Sequence, residues 1–87
     1  MKAEIYFTAA DEKLGFPATK RALKAETTEN LLREYREGIK HGFDPIFGKN
    51  CRKFTNLIVD ELYAREITDL KDIFGVNSIK KWGKTWN

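Results

Sequence analysis

Apolar residues recur at helical spacing in two stretches in the middle of the chain. In the first, which starts at Thr28, leucine, tyrosine and isoleucine side chains fall at positions 31, 32, 35 and 39 with charged residues between them, and Gly42 supplies a stop signal. In the second, positions 54, 57, 58 and 62 repeat the pattern, although its "FTNLIV" run also has strand character. We predict two main helices, over about residues 28–41 and 51–65.

The N-terminal stretch "KAEIYFT" alternates instead, with Ala3, Ile5 and Phe7 on one side. This period of two predicts a half-buried strand over residues 2–8. A lone strand leaves backbone groups unpaired, so it needs a partner strand. The candidates are residues 43–47 and the later stretch "NSIKKW". An unpaired edge would instead be open to strand addition by another chain.

The remaining segments are shorter. "PATKRALKAE" is compatible with a short helix that has Pro17 in its first turn. "GFDPIFGKN" predicts a loop or a tight hairpin around residues 48–50. Thr68 is a suitable cap for a short third helix over about 69–74, and "VNSIKKWGKTWN" remains as a terminal element. The expected fold is a single α+β domain, with a small sheet packed against the helices.

Length and composition limit the classes of function. The chain has 87 residues, of which 41% are hydrophobic and 13% aromatic, so its core is small and a buried cofactor would compete for the same side chains. Cys51 is the only cysteine and His41 the only histidine, which excludes an internal disulfide and a four-ligand zinc site built from these residue types. No apolar run is long enough for a signal peptide or a membrane span. We predict a cytoplasmic protein without a cofactor, metal or membrane partner.

Residue types suited to catalysis are few. Cys51 and His41 are a thiol and an imidazole, but no orienting group or oxyanion motif accompanies them. We expect a buried cysteine at a helix start and an exposed histidine near a helix end. The adjacent carboxylates at 60/61 and 69/72 have structural explanations, among them an i,i+4 pair between Glu61 and Arg65. The glycines are too scattered for a phosphate loop, and we predict that the protein is not an enzyme.

The charge is uneven along the chain. The net charge is +3, and residues 1–44 hold eight bases and eight acids whereas residues 45–87 hold eight bases and five acids. Basic residues cluster near the C-terminus in "SIKKWGKTWN", at the start of the second main helix in "GKNCRKF", and in "TKRALK" at Lys20, Arg21 and Lys24. Lysines beside exposed aromatic rings combine phosphate attraction with base stacking. "ITDLKDIFGVNSIKKWGKTWN" also resembles a helix-turn-helix in rhythm, but Gly83 interrupts its second helix.

The sequence therefore favours a small regulatory protein that binds DNA or RNA. The predicted contact residues are Lys49, Arg52, Lys53, Lys80, Lys81, Trp82, Lys84 and Trp86. We expect Ile79 and Trp82 to face inward more than Trp86, which follows the flexible Gly83. The alternative is a protein-binding module, an inhibitor or adaptor of a host enzyme, which acts through an aromatic surface or an exposed strand edge. A phage or another mobile element is a natural source for such a compact chain.

Overall fold

The computed structural model describes residues 6–70 and 78–83. These contain four helices: α1 (Ala9–Lys13), α2 (Pro17–Lys24), α3 (Thr28–His41) and α4 (Gly48–Ala64). The two long helices form where the apolar spacing predicts them, and α3 has the predicted bounds. Pro17 begins α2, as the sequence suggests, because its fixed φ suits a first helical turn.

The core lies between α3 and α4, with contributions from α2 and from the segments that follow α4. It consists of Leu23, Leu31, Leu32, Tyr35, Leu57, Ile58, Val59, Leu62, Leu70 and Ile79. The two long helices approach closely at Gly38, where a Cβ atom would lie 1.9 Å from Thr55 Oγ1. That hydroxyl donates to the Cys51 carbonyl at 2.6 Å and is therefore held in place. Only glycine at position 38 permits this helix crossing.

Asp11 joins the two short helices. Its carboxylate is buried and accepts hydrogen bonds from the Ala18 and Thr19 amides, at 2.8 and 3.0 Å, and from the Thr19 hydroxyl. It thus caps α2, whose own N-cap residue, Phe16, has no capping side chain. These bonds, that from the Thr19 hydroxyl first, hold the pKa of Asp11 below its ordinary value.

Arg65 fastens the end of α4 to the α2–α3 connection. Its Nε donates to Glu61 at 2.9 Å, which confirms the predicted i,i+4 pair. Its terminal nitrogens reach the Thr28 hydroxyl and three backbone carbonyl oxygens, of Leu23, Lys24 and Glu26. One guanidinium therefore satisfies acceptors at the end of α2, where carbonyls lack helical partners.

The predicted α+β fold is wrong, because the described residues form helices and no strand. Residues 1–5 of the expected strand lie outside the described part. Tyr6 lies in a turn and is buried, whereas the alternation placed it outward. Its ring stacks on Phe54, with centroids 5.1 Å apart, and Phe7 packs edge-on against Phe16. Both aromatic rings therefore contact helices, so the alternation does not reflect the two faces of a sheet.

Two further boundaries differ from the prediction. Residues 48–50 form the first turn of α4 and not a hairpin, so this helix begins three residues before the predicted start. Thr68 does not cap a third helix: its carbonyl accepts from the Ile79 amide at 2.9 Å, and Asp69 forms an isolated antiparallel bridge with Ser78. Positions 71–74 of the predicted helix lie outside the described residues.

Candidate binding surface

Residues 78–83, which include the described part of the predicted strand partner "NSIKKW" (77–82), lie across α3 and α4. Side chains of the helices bind the backbone of this segment. The Tyr35 hydroxyl lies 3.1 Å from the Lys80 amide and 3.3 Å from the Lys80 carbonyl, and Tyr63 donates to the Ile79 carbonyl. Asn56 accepts from the Trp82 amide at 2.7 Å and donates to its carbonyl at 3.4 Å. Side chains of α3 and α4 thus satisfy backbone groups of Ile79, Lys80 and Trp82.

Ile79 and Trp82 differ in depth. Ile79 is buried in the core, as the sequence predicts. Trp82 is only half-buried, and its ring lies against Gly42, where a Cβ atom would come within 2.2 Å of Cζ2. Phe43 meets the same ring edge-on at a centroid separation of 4.9 Å. The Trp82 ring therefore packs against Gly42 at the end of α3 and against Phe43, which follows it.

The structure brings two parts of the predicted basic surface together. The Arg52 guanidinium carbon lies 6.0 Å from the centroid of the Trp82 ring, and Nη1 donates to the Gly42 carbonyl at 2.6 Å. The start of α4 and the C-terminal segment therefore meet at Arg52. Lys84 and Trp86 lie outside the described residues.

Other members of the predicted set are neutralised locally. Lys53 forms an ion pair with Glu12, and Lys81 lies 2.5 Å from Asp60. Lys49 and Lys80 are exposed and have no ion-pair partner within residues 6–70 and 78–83. The predicted nucleic-acid surface therefore offers less free positive charge than its lysine count suggests.

The lysines of the third basic set, on α2, lie near acidic residues of α4. Lys20 and Lys24 line a small groove between α2 and α4 that also contains Asp60 and Glu61. A separate groove of about 540 Å³ lies beside α2 and α3, and Asp11 lines it. The Asp11 carboxylate already caps α2, and the charged residues Glu26, Arg33 and Glu34 also line this groove.

A prominent exposed feature lies in a segment that the sequence predicted as a loop or a strand partner and not as a binding site. We call residues 43–47, which connect α3 to α4, the α3–α4 corner. It presents three large apolar side chains, Phe43, Ile46 and Phe47, which are 74%, 78% and 50% exposed. "GFDPIFG" does contain the signal, because apolar residues stand there among turn formers without a periodicity that would bury them.

Backbone hydrogen bonds hold the corner in one conformation. Asp44 Oδ1 accepts from the Ile46 and Phe47 amides, both at 2.7 Å, and the Asp44 carbonyl accepts from Gly48 at 2.9 Å. The Phe47 and Ile46 amides hold the pKa of Asp44 below its ordinary value, so its carboxylate remains ionised at neutral pH. A Cβ atom at Gly48 would lie 2.7 Å from the Gly42 carbonyl oxygen, so the two ends of the corner are in contact.

Positive charge is concentrated around the corner. Residues 38–53 contain four lysines and arginines, Lys40, Lys49, Arg52 and Lys53, and a single acid, Asp44. This stretch alone therefore accounts for the whole net charge of +3. The first turn of α4 has no acidic residue, and its N-cap residue, Phe47, gives no side-chain hydrogen bond. The partial positive charge of the helix N-terminus adds to that of the bases.

The thiol and the imidazole have separate partners. Cys51 is buried, as expected, and donates to the Tyr6 hydroxyl oxygen at 3.0 Å. Burial, together with this hydrogen bond, raises the pKa of Tyr6. His41 is half-buried and lies 3.2 Å from Glu37. Both side chains are thus engaged in contacts that stabilise the fold.

Within the described ranges there is no cluster of three or more candidate metal ligands. None of the four helices has the length and apolar character that crossing a membrane requires. No protein-family model, curated protein or solved structure matches this chain.

Proposed function

We propose that this protein is a non-enzymatic binding module that recognises another protein through the α3–α4 corner. The observation that carries the proposal is the exposure of three large apolar side chains on a loop whose backbone amides are hydrogen-bonded by Asp44. Rigid aromatic and aliphatic anchors are typical of protein interfaces, because little conformational entropy is lost when they bind. An inhibitor or adaptor acting in the cytoplasm is the class that we favour, and the free buried thiol of Cys51 suits a reducing compartment.

The size of the patch supports this class of partner. Taking about 200 Å² for a fully exposed large apolar residue, the three exposed fractions correspond to roughly 400 Å². A patch of this size is comparable to the largest apolar patch of a typical monomer, which is often functional. It is also about half of what one partner contributes to a standard interface, with a basic rim to supply the remainder.

Nucleic-acid binding, which the sequence favoured, is the second candidate. Its support is the exposed Lys49 and Lys80, together with the half-exposed ring of Trp82. Against it, Lys53 and Lys81 are paired with acids. Ile46, the most exposed of the corner side chains, also has no ring on which a base can stack.

A pair of matched variants tests the proposal. Ile46→Ser removes the apolar anchor, and Leu14→Ser removes an equally exposed side chain, 76% against 78%, outside the corner. Each substitution should change the free energy of unfolding by less than about 0.5 kcal/mol, because both side chains are on the surface. Proteins bound from lysate by wild type and by Leu14→Ser, but not by Ile46→Ser, are then purified and titrated singly.

For a purified partner we expect Ile46→Ser to weaken binding by about 2 kcal/mol, roughly 30-fold in Kd. Leu14→Ser should leave Kd unchanged. In parallel, labelled single-stranded and duplex DNA and RNA are titrated at about 50 and about 200 mM salt. Binding of nucleic acid that falls steeply with salt, is lost in Lys49→Glu and persists in Ile46→Ser would replace the proposal with the second candidate.

A further inference from the structure

A groove on α3 adjoins the corner and extends its apolar surface. It has a volume of about 750 Å³, and its lining includes Tyr35, Ile39, Phe43 and Leu70. Phe43 therefore belongs both to the corner and to the wall of the groove. An extended or helical segment that contacts the corner thus has a continuous apolar path onto α3.

Exposed lysines stand at both ends of this path. At the groove, the charged residues among the described lining are Arg36 and Lys40, and Lys40 is exposed. On the other side of the corner stand Lys49 and Arg52, at the uncapped N-terminus of α4. The one acid inside the corner, Asp44, is turned to the backbone amides that it binds. A segment lying across this surface therefore meets positive potential at both ends and apolar contacts between them.

We infer that the partner contributes an acidic segment of polypeptide, in which carboxylates flank aromatic or aliphatic anchors. The anchors contact the corner and the α3 groove, and the carboxylates lie near Lys40 and Lys49. The inference rests on the proposed protein-binding function and specifies the chemistry of its partner. Opposite charge steers association and rejects basic surfaces, whereas the apolar anchors supply most of the affinity.

A second copy of this chain fits the surface poorly. Two copies that met at their corners would bring together two stretches that each keep a positive excess, Lys40, Lys49 and Arg52 against Asp44, after Lys53 pairs with Glu12. An acidic partner removes the charge repulsion and is the occupant that the surface favours.

The test uses a random peptide display library selected on the full-length chain. Selection is carried out in parallel on wild type, Leu14→Ser, Ile46→Ser and the double charge reversal Lys40→Glu/Lys49→Glu, each first shown to be folded by circular dichroism. We expect peptides that bind wild type and Leu14→Ser but not Ile46→Ser to have a net negative charge and at least one aromatic or aliphatic anchor. Synthetic versions of these peptides are then titrated.

The double charge reversal should weaken binding of such peptides at least about tenfold, and raising salt from about 50 to about 200 mM should weaken it several-fold. Replacing the carboxylates of a peptide with lysines should restore its binding to the reversed variant while abolishing it on wild type. Peptides that require Ile46 but are neutral or basic would overturn this inference and leave protein binding by the corner intact. Absence of any peptide that requires Ile46 would overturn both.

Two further results would also overturn the inference. Concentration-dependent dimerisation of wild type in sedimentation velocity, lost in Ile46→Ser, would assign the corner to self-association. Tight binding of a labelled single strand that depends on Lys49 and not on Ile46 would assign the surface to nucleic acid.

Discussion

Gly42→Ala tests whether the Trp82 ring packs against the end of α3. Gly42 has a φ of −63°, which alanine adopts without strain, so the dihedral angle does not oppose the substitution. By itself the change from glycine to alanine would stabilise by about 0.4–1 kcal/mol, because it restricts the unfolded chain. The new Cβ atom, however, would lie 2.2 Å from Cζ2 and 2.8 Å from Cε2 of Trp82.

The indole ring has little freedom to move away. Asn56 holds the Trp82 backbone, Phe43 contacts the ring edge-on and Arg52 lies over it. Overpacking of this kind typically costs about 1–3 kcal/mol, so after the gain from the unfolded state we expect a net loss of about 1–2 kcal/mol. For a chain of this length that loss lowers Tm by roughly 5–15 °C.

The control is the same substitution without the ring. In a Trp82→Ala background the alanine would meet mainly the Gly38 carbonyl oxygen, at 2.9 Å. That backbone contact is closer than a Cβ atom normally makes and keeps part of the cost, so we expect Gly42→Ala to be less destabilising there than in the unchanged chain, with a coupling between the two positions of about 0.5–2 kcal/mol. Urea unfolding of the four proteins, followed by circular dichroism, measures it. If Gly42→Ala stabilised the otherwise unchanged chain, Trp82 would not lie against Gly42.

Three further substitutions test contacts between distant parts of the chain. Arg65→Ala should lower the free energy of unfolding by about 2 kcal/mol in urea titrations, and Arg65→Lys should recover less than half, because an ammonium cannot reproduce the guanidinium fork. Asn56→Ala should cost about 1–2 kcal/mol and speed hydrogen exchange at the Trp82 amide; unchanged exchange would contradict the bond. Because the Thr19 hydroxyl lowers the pKa of Asp11, its carboxylate contributes stability above about pH 4, and this contribution is lost as the pH falls through the folded-state pKa. The stability difference between wild type and Asp11→Asn should therefore shrink in acid, and a difference that is constant with pH would disprove the linkage.

Local pattern was sufficient for the two long helices and for an ion pair within one of them, but it did not predict α1. In α3 and α4 the apolar residues recur at intervals of three and four, which place them on one face of a helix. These two helices can therefore be predicted from the spacing alone. Glu61 and Arg65 pair because four residues separate them on a helix. The burial of Ile79 also agreed with expectation. The start of α4 was missed because glycine and asparagine there are typical of turns, while helix 48–64 is held by its packing against α3.

We expected a sheet because alternating apolar and polar residues and an extended backbone are typical of strands. Neither feature specifies which segment pairs with the strand. Tyr6 stacks on Phe54, 48 positions further along the chain, and the Lys80 backbone is bound by Tyr35, 45 positions earlier. Such contacts leave no local periodicity. Side chains of α3 and α4 therefore form the hydrogen bonds that a neighbouring strand would have formed.

The same distinction between local pattern and tertiary contacts applies to the candidate surface. Sequence alone determined that this chain is small, basic and helical at its centre, and that two of its basic clusters lie at 49–53 and 80–84. Only the tertiary structure decided which of those charges are neutralised, as at Lys53 and Lys81, and which apolar side chains remain exposed, as at Ile46. The physical reason is that ion pairing and burial depend on distances between segments far apart in the chain, whereas composition and period depend only on neighbours.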